Sequence, residues 1–103
     1  MLSAKDRAQM RRNAGKAAAM LKMLSHEARL MVLCDLVAGE RSAGALVESS
    51  GLSQSALSQH LAKLRDEGLV ETRREGQAIH YRLADGNAAK LIETLHGIYC
   101  KGT

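Results

Sequence analysis

Gln54, Ser55, Ser58, Gln59 and Ala62 fall on one side of a helical repeat whose other side carries Leu57, Leu61 and Leu64 at i, i+4 and i+7. Short amides and hydroxyls both donate and accept, so this face suits hydrogen bonding to base edges in a major groove better than a wall of charge would. His60 lies in the same stretch, with an imidazole that could donate to a phosphate or brace the helix. A second group with chemistry of its own is Cys34 and Cys100, since a thiolate is a nucleophile and a soft-metal ligand. They lie 66 positions apart without C-x-x-C spacing, and spacing alone gives two incidental thiols. His26, His60, His80 and His96 are scattered with no ligand spacing, as surface or capping histidines are. Ser55, Ser58 and His60 share one helix without an orienting acid, so a reading face explains them better than a catalytic triad, and no enzyme is expected.

The elements that must position these residues follow from caps and periods. Ser42–Gly51 and Ser53–Gly68 form two short helices, each opened by a serine cap and separated at Gly51, which is a helix-turn-helix. Ahead of them, a helix over about Lys5–Leu24 carries Ala14, Ala17, Ala18, Leu21 and Leu24. A second helix, with Ser25 as its cap, runs through Ala38 and packs Leu30, Leu33, Leu36 and Val37, with Gly39 as its stop. After Gly68 the period changes to two: Val70, Thr72 and Arg74 alternate before Gly76-Gln77, and Ile79, Tyr81 and Leu83 after it. This hairpin has the form of a wing whose Arg73, Arg74 and Gln77 reach phosphates or the minor groove; a solvated charged turn is the plain alternative. A last helix, Asn87–Cys100, repeats Ala88, Leu91, Ile92, Leu95, Ile98 and Tyr99. The predicted fold is mainly α with a small β-hairpin, a winged helix-turn-helix in the order α-α-α-α-β-β-α. One domain covers residues 1–103, with the helix-turn-helix at 42–67 and the wing at 69–83.

Composition narrows the partner. The 103 residues are 46% hydrophobic, enough for one modest core, and fifteen Lys and Arg against eleven Asp and Glu leave a net charge of +4. Six of the basic residues, Lys5, Arg7, Arg11, Arg12, Lys16 and Lys22, precede position 25 against the single acid Asp6. They suit either phosphate contact or a solvated helix face. Tyr81 and Tyr99 are the only aromatics among Phe, Trp and Tyr, which leaves little for stacking single-stranded bases and favours duplex DNA; both tyrosines are assigned to core and interface packing. No apolar run approaches a signal peptide or the ~20 residues of a membrane span, so a cytoplasmic protein without a membrane partner is expected. The terminal helices, 5–24 and 87–100, carry more apolar surface than a small monomer covers, which predicts a homodimer. Two-fold-related reading helices meet half-sites about 10 bp apart, so the operator should be an imperfect palindrome.

Four segments carry a resemblance: Leu24-Ser25-His26-Glu27-Ala28-Arg29-Leu30; Leu52-Ser53-Gln54-Ser55-Ala56-Leu57-Ser58-Gln59-His60-Leu61-Ala62-Lys63-Leu64; Gly68-Leu69-Val70; and Arg73-Arg74-Glu75-Gly76. Together they resemble the ArsR/SmtB family of winged-helix repressors. That resemblance implies a homodimer that leaves its operator when an inducer binds. Thiolate metal sensors of the family carry Cys-x-Cys at the start of the third helix, where this chain has Ser42-Ala43-Gly44. Zinc sensors use Asp and His at the start of the last helix, with His and a carboxylate near its end. Asp85 matches, but Asn87, Ile98 and Lys101 occupy the other positions, so no tetrahedral zinc site is assembled, and neither metal nor cofactor is expected.

One cysteine in the second helix and one in the last, in Val32-Leu33-Cys34-Asp35-Leu36 and Leu95-His96-Gly97-Ile98-Tyr99-Cys100, are similar to the dithiol subgroup of that family. The resemblance implies that Cys34 and Cys100 sense reactive sulfur species, and in some members other oxidants, the reduced protein repressing and the bridged form releasing DNA. Thiolates attack persulfides through a mixed intermediate, nearby basic groups raise the thiolate fraction, and each inserted sulfur extends a bridge by about 2 Å. Three alternatives stay open: an arsenite or other soft-metal sensor using the same thiols, an anti-repressor that activates by displacing another protein, and a winged-helix protein-interaction module without a DNA role.

Overall fold

The computed structural model describes residues 2–84 and 86–100. The elements run α1 (Ala4–Leu24), α2 (Glu27–Val37), β1 (Arg41–Ser42), α3 (Ala43–Ser50), α4 (Gln54–Asp66), β2 (Val70–Glu75), β3 (Ala78–Leu83) and α5 (Gly86–Tyr99). The winged helix-turn-helix order predicted from the sequence is present, with one addition: β1 joins the hairpin to make a three-stranded antiparallel sheet in the order β1-β3-β2. Arg41 pairs with Tyr81 and Ser42 with His80. Two residues show no alternation of their own, which is why the strand was invisible in the sequence.

Local chemistry sets the helix ends. Ser3 and Asp6 form a reciprocal capping box at the start of α1. Ser25 does not open α2, as the sequence suggested; its Oγ donates to the Lys22 carbonyl at 2.7 Å and closes α1. His26 takes the cap, its Nδ1 accepting from the Ala28 amide at 3.1 Å. The Nε–H of Arg29 donates to the Met23 carbonyl at 2.9 Å, satisfying an orphan carbonyl at the end of α1 and fixing the α1–α2 corner. Ser42 and Ser53 cap α3 and α4 through the amides of Ala45 and Ala56. Between those helices Gly51 ends α3 at φ 71°, a left-handed conformation in which a Cβ would be strained. In the hairpin, Gly76 supplies the positive φ of 62° at the first of two turn residues, and Val70 through Glu75 pair in register with Leu83 through Ala78.

The core draws on every layer. Val32, Leu33 and Leu36 of α2, Leu46 of α3, Leu57, Leu61 and Leu64 of α4, and Ala88 and Ile92 of α5 are buried together with Leu69 and Val70. Tyr81 packs partly buried against this cluster. α1 contributes less than its pattern promised. Met23 and Leu24 are buried and Met20 partly so, while Ala14, Ala17, Ala18 and Leu21 stand in solvent. At the other end of the chain Ile98 and Tyr99 are 56% and 80% exposed.

Candidate functional site

Two regions carry chemistry. In the first, α4 buries Leu57, Leu61 and Leu64 and turns Gln54, Ser55, Ser58 and Gln59 outward. Ser53 Oγ accepts from the Ala56 amide at 3.1 Å, so the turn bearing Gln54 and Ser55 is held at its start. His60 stands apart from this group. At 100° per residue it flanks the buried stripe, and its half-buried ring lies against His26, with centroids 4.6 Å apart and planes tilted by 54°. Burial first, then the charges of His26, Arg29 and Lys63, push the His60 imidazole below the usual histidine value, which favours its neutral form. The structure therefore brings together two histidines that no spacing rule linked, and joins α4 to the start of α2 through them.

The wing residues also separate. Successive strand residues face opposite sides of a sheet, so Arg73 and Arg74 point apart. The Arg73 guanidinium reaches back to Glu40, Nε donating at 2.9 and 3.1 Å to the two carboxylate oxygens and Nη2 lying 2.8 Å from Oε1. Nη1 also lies 3.3 Å from Glu75 Oε2. Hydrogen bonding by Arg73, more than any other cause, holds the Glu40 carboxyl below its ordinary value and raises the guanidinium in return. His80, opposite Arg73, lies 4.0 Å from Glu40 and 3.7 Å from Glu75. Arg74 and Gln77 are exposed at and beside the hairpin tip.

The second region is a groove of about 510 Å³ between α2 and α5. Cys34 and Cys100 both line it, both as exposed thiols. The remaining walls are Leu30 and Val37 of α2, and Ile92, Leu95 and Tyr99 of α5, with Glu93 and His96 at its polar margin. The Cys100 amide donates to the His96 carbonyl at 2.8 Å, so Cys100 prolongs the last turn of α5. Burial, the adjacent Asp35 carboxylate and Cys100 all raise the Cys34 thiol above its ordinary value. Among the described residues no Lys or Arg lines the groove, and none stands among the causes that act on the Cys34 thiol.

Asp35 ties this site to the rest of the fold. Its carboxylate accepts from Ser49 Oγ of α3 at 2.7 Å, and its carbonyl accepts from Arg41 Nε of β1 at 3.0 Å. Sequence reasoning missed this hub, since nothing local in Asp35, Arg41 or Ser49 signals the contact. Among the described residues no cluster of three His, Cys, Asp or Glu is arranged for a metal ion, and Asp85 and Lys101 lie outside the described residues. No described helix is long and apolar enough to cross a membrane.

A capped helix-turn-helix followed by a hairpin wing defines a winged-helix DNA-binding regulator. The family described as "Bacterial regulatory protein, arsR family" matches residues 26–72. Among curated relatives, the "Transcriptional activator HlyU" of Vibrio cholerae is 47% identical over 93 residues, covering 90% of this chain and 86% of that protein. The "Biofilm growth-associated repressor" of Xylella fastidiosa is 47% identical over 94 residues, covering 91% of this chain and 82% of that protein. Among solved structures, the transcriptional repressor BigR from Xylella fastidiosa superimposes with a TM-score of 0.87 at 47% identity, over 91% of this chain and 96% of that one. Reduced HlyU from Vibrio cholerae does so with a TM-score of 0.85 at 47% identity, over 90% and 98%. The chain belongs to the ArsR family of bacterial transcriptional regulators, DNA-binding proteins rather than enzymes.

Proposed function

We propose that this regulator is a homodimeric repressor that binds an imperfectly palindromic operator and releases it when Cys34 and Cys100 are bridged by reactive sulfur species. One observation carries the reading: two thiols, one on the helix-turn-helix scaffold and one on the terminal helix, line the same groove. In this account Gln54, Ser55, Ser58 and Gln59 meet base edges, and Arg74 and Gln77 of the wing meet phosphate or the minor groove. Arg73 and His60 brace these elements through contacts within the protein, Arg73 through Glu40 and His60 through His26. The exposed apolar residues Met10, Leu21, Met31 and Ile98 supply the surface for a second copy.

The chemistry balances with two persulfide molecules, RSSH. Each thiol takes the outer sulfur of one RSSH and expels RSH. The Cys100 persulfide then attacks Sγ of the Cys34 persulfide, forming an S–S bond and expelling hydrogen sulfide. Two thiols are oxidised to a trisulfide, and one transferred sulfur is reduced. Such a bridge strains α2 at Cys34, and the neighbouring Asp35 passes the strain to α3 through Ser49 and to β1 through Arg41. An allosteric coupling of about 1–3 kcal/mol lowers operator affinity about 5- to 150-fold.

The two relatives described above are named an activator and a repressor, so a displacing, activating output is the second reading. A reporter driven by the protein's own promoter separates the two. Mass spectrometry after persulfide treatment tests the site: the reading expects one cross-linked species containing residues 34 and 100, absent in Cys34→Ser and Cys100→Ser. Operator release that persists in both variants overturns it.

A further inference from the structure

Resting on the dithiol reading above, we infer that the groove between α2 and α5 selects its sulfur donor by polarity, taking neutral alkyl or aryl persulfides in preference to anionic ones. Five of the residues around the thiols, Leu30, Val37, Ile92, Leu95 and Tyr99, present hydrocarbon or ring surface. Among the described residues the only charged side chain in the lining is the Glu93 carboxylate, and no described lysine or arginine answers a negative substituent. An anionic peptide persulfide approaching Cys100 loses hydration against apolar walls and meets a like charge. A benzyl or butyl group instead leaves water for a surface that fits it, and a cavity of about 510 Å³ accommodates such a substituent beside both sulfurs. Each methylene buried on the way to the transfer step favours the reaction about fourfold. The bond changes are those of the trisulfide reaction already given, with R apolar: the leaving thiol RSH carries the substituent out of the groove, and the second sulfur leaves as hydrogen sulfide.

The test uses the reduced full-length protein and three donors: benzyl persulfide, glutathione persulfide and inorganic hydrogen persulfide. The rate of Cys34–Cys100 cross-linking is followed by mass spectrometry. Each rate is divided by that of the same donor with N-acetylcysteine, which removes intrinsic reactivity. The inference expects the normalised rate for benzyl persulfide to exceed that for glutathione persulfide by roughly tenfold or more. Glu93→Lys, at an exposed position, should shrink that ratio at least threefold by replacing the like charge with a counter-charge. Equal normalised rates, or faster reaction with the anionic donor, overturn the polarity selection while leaving the dithiol site standing. Fast cross-linking by the inorganic donor with none by benzyl persulfide also overturns it, because the groove is then closed to a substituent, as a second copy seated on it would make it. Failure of all three donors to cross-link removes the dithiol reading itself.

Discussion

Replacing Ser53 with alanine tests whether the start of α4 governs stability and DNA affinity together. Ser53 Oγ is the acceptor for the Ala56 amide at 3.1 Å, while the Leu57 amide is already satisfied by the Ser53 carbonyl at 3.0 Å. The substitution therefore orphans one donor and leaves the rest of the ladder intact. Loss of such a cap costs about 1 kcal/mol, with a range of roughly 0.5–2. For a chain of this size that corresponds to a fall in Tm of about 4–8 °C, measured by calorimetry at fixed protein concentration. If the first turn must re-form on DNA, the same cost of about 1 kcal/mol weakens operator binding about fivefold. Ser53→Asp separates the two effects. Aspartate restores the cap and suits the helix dipole, so Tm recovers, but its charge faces the phosphates and binding does not. A Ser53→Ala protein with unchanged Tm, or a Ser53→Asp protein that binds DNA as well as the parent, refutes this reasoning.

Other consequences are separable by assay. Because burial, and then the charges of His26, Arg29 and Lys63, hold His60 below its usual value in the folded protein, the unfolded chain binds more protons below about pH 6.5. Unfolding free energy should therefore fall with pH through and below that value, and His60→Gln should flatten the slope in a pH series of urea melts. Arg74→Ala should reduce the salt dependence of operator binding by about one counterion without moving Tm. Arg73→Ala should instead loosen the wing through loss of the Glu40 pair, read as faster amide exchange in β2 and β3. Ser49→Ala removes the α3 contact with Asp35, so persulfide should still cross-link the thiols while the drop in operator affinity shrinks several-fold.

What the sequence disclosed and what it hid follow from the range of the interactions. Caps at Ser42 and Ser53, the Gly51 turn, the stripe of Leu57, Leu61 and Leu64, and the Gly76 hairpin are local, and each was legible. The β1 pairing, the His26–His60 contact, the Glu40–Arg73 pair and the Asp35 hub join segments far apart in the chain, and no period or motif encodes them. Ser25 misled because serine is a favourable helix start, yet here the nearby carbonyls at the end of α1 claim its hydroxyl. The groove is an intermediate case: resemblance suggested that Cys34 and Cys100 act together, and the packing of α5 on α2 places them on one lining, whereas the raised Cys34 thiol depends on burial beside Asp35.

The central claim is that operator affinity answers to the state of the two thiols. Binding of the reduced protein to its own upstream DNA should be measured by titration before and after a persulfide donor, with a peroxide-treated sample alongside and dithiothreitol reversal at the end. The account predicts tight, steeply salt-dependent binding that falls about 5- to 150-fold after persulfide, changes little with peroxide, and returns on reduction. Tight binding that survives persulfide, in protein shown by mass to carry the Cys34–Cys100 bridge, contradicts it.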